Sequence, residues 1–224
     1  MSIIDKIQKE IKQDFYQTNF PNDGQRFVAW YLRNVFLLDK NSTRDAITDG
    51  PKDKQIDAVY IDEDNQKIFI IQSKFYTGPT VGSEPVREMQ SVWLQLSDLK
   101  NMQANANGKL KIKLAEIANA LEEDSYSVCL MLITTSSFSD EAQKDIAFLH
   151  KEISDKEDDS KYDFEFVAVD GEGVAENYSR AVDQSNPSLS YTMPLQQGKY
   201  MYTEIGATSV LIVAVPLREC IKLP

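Results

Sequence analysis

The chain has 224 residues, 42% of them hydrophobic and 26% charged, with a formal net charge of −11. That is enough apolar material for one large domain with a sizeable core, which excludes wholesale disorder. Two cysteines, Cys129 and Cys220, and one histidine, His150, exclude a disulfide scaffold, a four-cysteine zinc site and a histidine-rich metal centre, and point to a reducing, cytoplasmic setting.

Ile3, Ile4, Ile7, Ile11 and Phe15 recur at helical spacing, so residues 3–16 read as an amphipathic helix with none of the apolar core of a signal peptide. After the turn-forming run NFPNDG, Phe27, Trp30, Tyr31 and Val35 give a second helix a broad apolar face over 24–38. Residues 41–54 are polar and irregular, with room for a short strand near Arg44–Thr48. QIDAVYI (55–61) and KIFIIQSKF (67–75) read as strands joined by a polar hairpin loop.

Residues 79–85 are a further break. Helices follow at 86–100 and 110–122, separated by the polar run NMQANANGK. SVCLMLITT (127–135) and FEFVAV (164–169) have the continuous apolar character of strands buried on both faces. A helix opened by Ser139 lies between them, and another spans 172–183. Beyond Asn186–Pro187, short strand-like runs occupy 189–193, 199–204 and 208–215, and a helix start is expected from Leu217. The order implies an α/β fold with a mixed sheet flanked by helices, one main domain over 1–185 and a short β-rich extension over 186–224, the opening of a further module. The longest apolar run, ATSVLIVAV, is too short to span a membrane.

Charge is divided unevenly. Residues 1–120 carry 16 basic and 16 acidic side chains, whereas 121–224 carry 8 and 19. The acidic excess therefore weighs against non-specific nucleic-acid affinity without touching a site in the first half.

The chemistry concentrates in residues 49–75. Asp57 stands among Ile56, Ala58 and Val59, where a carboxylate is costly unless something positive meets it. Alternation puts Gln72 and Lys74 on one face of the following strand, and a hairpin turning at 63–66 sets Asp57 opposite Gln72. Asp57, the Gln72 amide oxygen and the Ser73 main-chain carbonyl would form a partial oxygen shell for Mg²⁺ or Mn²⁺, with Lys74 beside the phosphate. On spacing alone, an ordinary cross-strand ion pair of Asp57 and Lys74 explains the same pattern.

Ile56-Asp57-Ala58-Val59 followed by Ile71-Gln72-Ser73-Lys74-Phe75 resembles the PD-(D/E)xK nuclease superfamily, in the Mrr-like branch whose second motif reads Q-x-K. Over roughly residues 20–135 the layout is also similar to the amino-terminal part of AIPR-type abortive phage infection proteins. The resemblance implies a restriction-endonuclease-like αβββαβ core and a metal-dependent endonuclease acting on DNA, less readily RNA, in phage defence. Asp57, Gln72 and Lys74 would be catalytic, and Asp57, Gln72 and Ser73 would hold the metal. A homodimer, a downstream domain and a phage-derived trigger stay open as partners; a membrane is not among them. The pattern departs from the family where a glutamate often stands in the helix before the hairpin. Gln25 is found there instead, with Asp23 just ahead of the helix and Asp49 and Asp53 as substitutes from the loop. A catalytically degenerate module of the same fold, binding nucleic acid or protein, is the alternative.

Other features have plainer readings. Gly171-Glu-Gly173 lacks the third glycine of a dinucleotide fingerprint, having Glu176 there, and reads as a strand-to-helix turn. His150 reads as a packing or surface residue and Cys129 as a small core hydrophobe. Arg87, Lys100, Lys109, Lys111 and Lys113 form the most basic stretch, either tracking phosphates or lying as solvated helix faces.

Overall fold

The computed structural model describes residues 2–123, 125–156, 160 and 162–185 in full, and the backbone of 200–205 and 208–213. Two compact units divide the chain at Gln184–Ser185.

In the first unit the elements run α1 (Ile3–Glu10), α2 (Asp14–Asn19), α3 (Asp23–Asn34), α4 (Lys40–Ala46), β1 (Ala58–Asp62), β2 (Lys67–Lys74), β3 (Thr80–Val81), α5 (Glu84–Leu96), α6 (Leu99–Ala104), α7 (Gly108–Ala120), β4 (Ser127–Thr134), β5 (Ser137–Phe138), α8 (Asp140–Asp155), β6 (Asp163–Val169) and α9 (Gly171–Ser185). The main sheet has the order β1-β2-β4-β6, with β1 antiparallel to β2 and the other three strands parallel. It is a mixed sheet flanked by helices, the α/β class expected from the sequence. The third strand of the αβββαβ order is only the two-residue β3, which pairs with β5 outside the main sheet. In the second unit β7 (Tyr200–Ile205) and β8 (Thr208–Val213) form an antiparallel hairpin. The strand expected at 189–193, the helix expected from Leu217 and Cys220 lie outside the described residues. Among those residues no helix is long and apolar enough to cross a membrane.

Strand periodicity sorts the core. Ile68 and Ile70 of β2, with Leu130 and Leu132 of β4, pack towards Met89 of α5 and Ile117 of α7. Ile71 of β2, with Cys129 and Ile133 of β4, packs on the other face against Trp30 and Tyr31 of α3. A period of two carries these faces on to the end of β2, so Gln72 and Lys74 fall on the α5 side and Ser73 on the α3 side. The apolar contacts of the sheet thus fix which helix each polar residue meets.

Several expected boundaries move. The helix expected over 3–16 breaks at Ile11–Gln13 into α1 and α2, because burying Tyr16 and Phe20 together with Ile7 and Ile11 requires the chain to turn. The helix expected to reach residue 38 ends at Asn34, followed by Leu37 at φ 59°. The strand expected near Arg44–Thr48 is instead α4, capped by Asp39, whose carboxylate accepts from the Asn41 and Ser42 N–H groups. Only Ile47 bridges to the sheet, at Ala58. The polar run 101–109 is partly helical as α6, with Asp98 as its N-cap, while Asn107 caps α7. In α4, α6 and α7 a short side chain satisfying end N–H groups outweighs the absence of apolar periodicity.

Candidate metal and phosphate site

Asp57 lies immediately before β1, one residue outside the strand expected to contain it. Its N–H donates to the Ile71 carbonyl at 2.9 Å, and its own carbonyl accepts from the Thr48 and Asp49 N–H groups at 2.9 and 3.2 Å. Its carboxylate accepts from the Ser73 N–H at 2.6 Å and the Ser73 hydroxyl at 3.0 Å. Burial pushes the Asp57 carboxyl up to about 7, and the Asp49 charge adds to that, against the opposing pull of Ser73's hydrogen bonds and the Lys74 charge.

The loop between α4 and β1 brings two more acids. Oxygens of Asp49, Asp53 and Asp57 all lie within 4.8 Å of one another. Asp53 shapes the loop by accepting from Gly50 N–H at 3.1 Å and Gln55 N–H at 2.9 Å. Lys52, Lys54 and Gln55 have φ of 65°, 58° and 61°, a left-handed backbone that L residues adopt at a cost. Asn107 ties this loop to the start of α7, its Nδ2 donating to the Thr48 carbonyl and its N–H to the Lys52 carbonyl, both at 3.0 Å. Burial raises the Asp49 carboxyl above its ordinary value, and neighbouring Asp53 acts in the same direction. Gln25 of α3, itself buried, hydrogen-bonds Asp49 and partly offsets the rise.

Gln72, on the α5 side of β2, is 2% exposed, and its Nε2 donates to Glu88 of α5 at 2.6 Å. The same Glu88 oxygen receives the Lys74 ammonium at 2.9 Å. Burial works to lower the Lys74 pKa, but Glu88 outweighs it and the ammonium is held above its ordinary value. Gln72 Oε1 is buried and meets no hydrogen-bond partner among the described residues.

The residues singled out in the sequence therefore gather at one end of β2, though in two groups. Asp57 is joined to Ser73, while Gln72 and Lys74 are joined to Glu88. The register Ala58↔Ile71, extended by one residue, sets Asp57 beside Gln72, and the charges of Asp57 and Lys74 act on one another. Asp23, inside the first turn of α3 and paired with Arg26 at 2.9 Å, is not one of the three converging acids. Glu88 escapes a reading confined to the hairpin. Its signal is helical spacing: it sits three residues after buried Pro85 and four before buried Val92, so it is an acid on the inward face of α5.

Of the basic stretch, Arg87 is engaged by Glu141 and Asp145, and Lys113 is nearly buried between Asp45 and Glu116; Lys100, Lys109 and Lys111 are exposed. His150 packs on Phe166 with centroids 5.3 Å apart, and Cys129 is fully buried. At Gly171 an added Cβ would lie 2.7 Å from the Thr135 carbonyl oxygen, so the glycine serves close packing at a strand-to-helix turn.

Comparison of the chain with family models, curated proteins and solved structures yields no match in any of the three.

The donor set suits a hard divalent cation. Oxygen is the only ligand element available, three carboxylates converge, and a buried amide oxygen stands without a partner. Burial is the main cause that raises Asp49 and Asp57, and a neighbouring acid adds to the rise of each, Asp53 for Asp49 and Asp49 for Asp57.

Proposed function

We propose that the chain is a Mg²⁺- or Mn²⁺-dependent phosphodiesterase that cleaves DNA. The observation that carries this reading is the convergence of Asp49, Asp53 and Asp57 at the end of β2 that also bears Gln72 and Lys74. Asp57, with Asp49 and Asp53 and the oxygens of Gln72 and Ser73, would hold the cation. When bound, a divalent cation supplies Lewis-acid neutralisation of phosphate charge and a lowered pKa for water.

The chain's own residues have separate tasks. The Ser73 N–H and hydroxyl fix the Asp57 carboxylate in one orientation. Lys74, kept protonated by Glu88, would turn part of its donor capacity to a phosphate oxygen. Positive charge at this spot matters because the surrounding acids would otherwise repel a polyanion. The resemblance of the I-D-A-V and I-Q-S-K segments to Mrr-like nucleases supports DNA as the substrate, and the AIPR-like layout supports a place in phage defence by abortive infection.

The test is cleavage of supercoiled plasmid in Mg²⁺ or Mn²⁺. Wild type is expected to nick or linearise it, with losses of about 100-fold or more in Asp57→Ala and Lys74→Ala. Equal activity in all three proteins would contradict the proposal.

A second reading, a catalytically degenerate module that binds nucleic acid or protein, is favoured by two details. Gln25 rather than an acid reaches Asp49, and Glu88 already occupies Lys74. Metal-independent binding without cleavage would select it, with weak salt dependence marking a protein partner.

A further inference from the structure

We infer that Glu88 of α5 is a positioning residue that sets which way the Gln72 amide faces, and thereby makes the end of β2 a cation site. The inference rests on the metal-dependent reading above, and concerns a residue outside the strands that carry the motif.

A glutamine amide has two chemically opposite ends, and an ambiguous setting lets either one face a site. A carboxylate can only accept hydrogen bonds, so contact with Glu88 selects the NH₂ end of Gln72. The Nε2–Oε2 separation of 2.6 Å marks a strong, charge-assisted bond. With Nε2 held in this way, Oε1 is turned from Glu88, and it is the end left buried and unpaired. An unmet carbonyl at a site 2% exposed is costly, and a cation held by the neighbouring Asp57 would satisfy it. A reversed amide would present two N–H donors there and repel that cation.

Glu88 cannot rotate freely to release the amide. The same Oε2 receives the Lys74 ammonium at 2.9 Å, so the ion pair braces the carboxylate while the carboxylate braces the amide. Lys74 thus has a further task beyond meeting phosphate, and the alternate residues of β2 act through one helix side chain. This arrangement lets a glutamine serve where a carboxylate would otherwise be the ligand. It carries no added negative charge into a cluster that already brings three carboxylates together.

The experiment measures Mn²⁺ affinity by calorimetry on the full chain, together with the side-chain amide protons of Gln72 by NMR. Glu88→Gln permits either amide orientation and is expected to weaken Mn²⁺ binding by about 10- to 100-fold, as loss of a ligand-orienting partner does. The swapped pair Gln72→Glu/Glu88→Gln keeps the bond with donor and acceptor exchanged, and is expected to restore binding. In metal-free wild type the Gln72 Nε2 protons are expected to exchange slowly. That protection should disappear in Glu88→Ala and fall only in part in Lys74→Met, which removes the brace on Glu88 but spares the amide bond.

Wild-type affinity in Glu88→Gln would overturn the inference, as would rapid exchange of the Gln72 amide in wild type. Absence of Mn²⁺ binding by wild type would instead overturn the metal reading itself, and the amide protons would still decide the orientation.

Discussion

The two ends of β2 each carry a lysine facing a glutamate, yet their electrostatics are opposite. At the start of the strand, Lys67 meets Glu165 of β6 at 2.6 Å. Burial works to raise the Glu165 carboxyl, but Lys67 and the Cys129 thiol outweigh it and hold it below its ordinary value. Lys67 is raised in turn, its loss on burial outweighed by Glu165. Further acids stand near this pair as well: Asp62 is the register partner of Lys67, and the Asp163 charge also acts on it. At the far end Lys74 and Glu88 form a similar pair, but the charge of Asp57, one of three converging acids, acts on Lys74, and the Gln72 amide oxygen has no partner among the described residues. Asp57 stands up to about 7. A lysine–glutamate contact on its own is therefore no sign of function; the raised, buried Asp57 and the unpartnered Gln72 amide oxygen are what separate the two ends.

The largest effect that separates them is expected from Asp57→Asn. Because the folded pKa of Asp57, about 7, lies above the ordinary 3.8, ionising this group costs folding free energy. The penalty is absent below pH 3.8, grows as pH rises, and is complete above pH 7. About three pKa units set its ceiling at about 4 kcal/mol. Metal-free wild type should accordingly lose stability between those limits, and Asp57→Asn should flatten that slope and melt higher at pH 8. Thermal unfolding across this range in a chelator checks it. A parallel slope in both proteins would show that Asp57 is not the strained acid.

Gly171→Ala is the next effect. Its Cβ would press on the Thr135 backbone at 2.7 Å, where nothing flexible can yield. Overpacking of this kind should destabilise by about 1–3 kcal/mol, read by denaturant titration. Lys67→Met should have the smallest effect. Its side chain is 30% exposed and that of Glu165 45%, so the pair should contribute less than about 1 kcal/mol and melting should fall by only a few degrees. A loss well beyond that would mean that the Lys67–Glu165 pair is more than a half-exposed surface contact.

The sheet and most helices were legible because they are governed by periodicity. The apolar run of β4 and the alternation of β2 state their burial directly in the order of residues. The candidate site was legible where it lies within one strand, as with Gln72 and Lys74, or beside it, as with Asp57. What escaped depends on contacts between distant segments. Glu88 is tied to Lys74 by the packing of α5 on the sheet. Gln25 meets Asp49 because α3 covers the opposite face, and the loop that carries Asp49 and Asp53 is shaped by positive φ and by Asn107 from α7. Strained loops and helix caps leave little trace in hydrophobic patterning, which is also why α4 stands where a strand was expected.

The most direct test of a cation site at the Asp57 end of β2 is Mn²⁺ calorimetry on wild type, Asp57→Asn and Lys67→Met at pH 8. Binding by wild type and Lys67→Met, with loss in Asp57→Asn, is the expected result. Binding of equal strength in all three, or none by wild type, would contradict it.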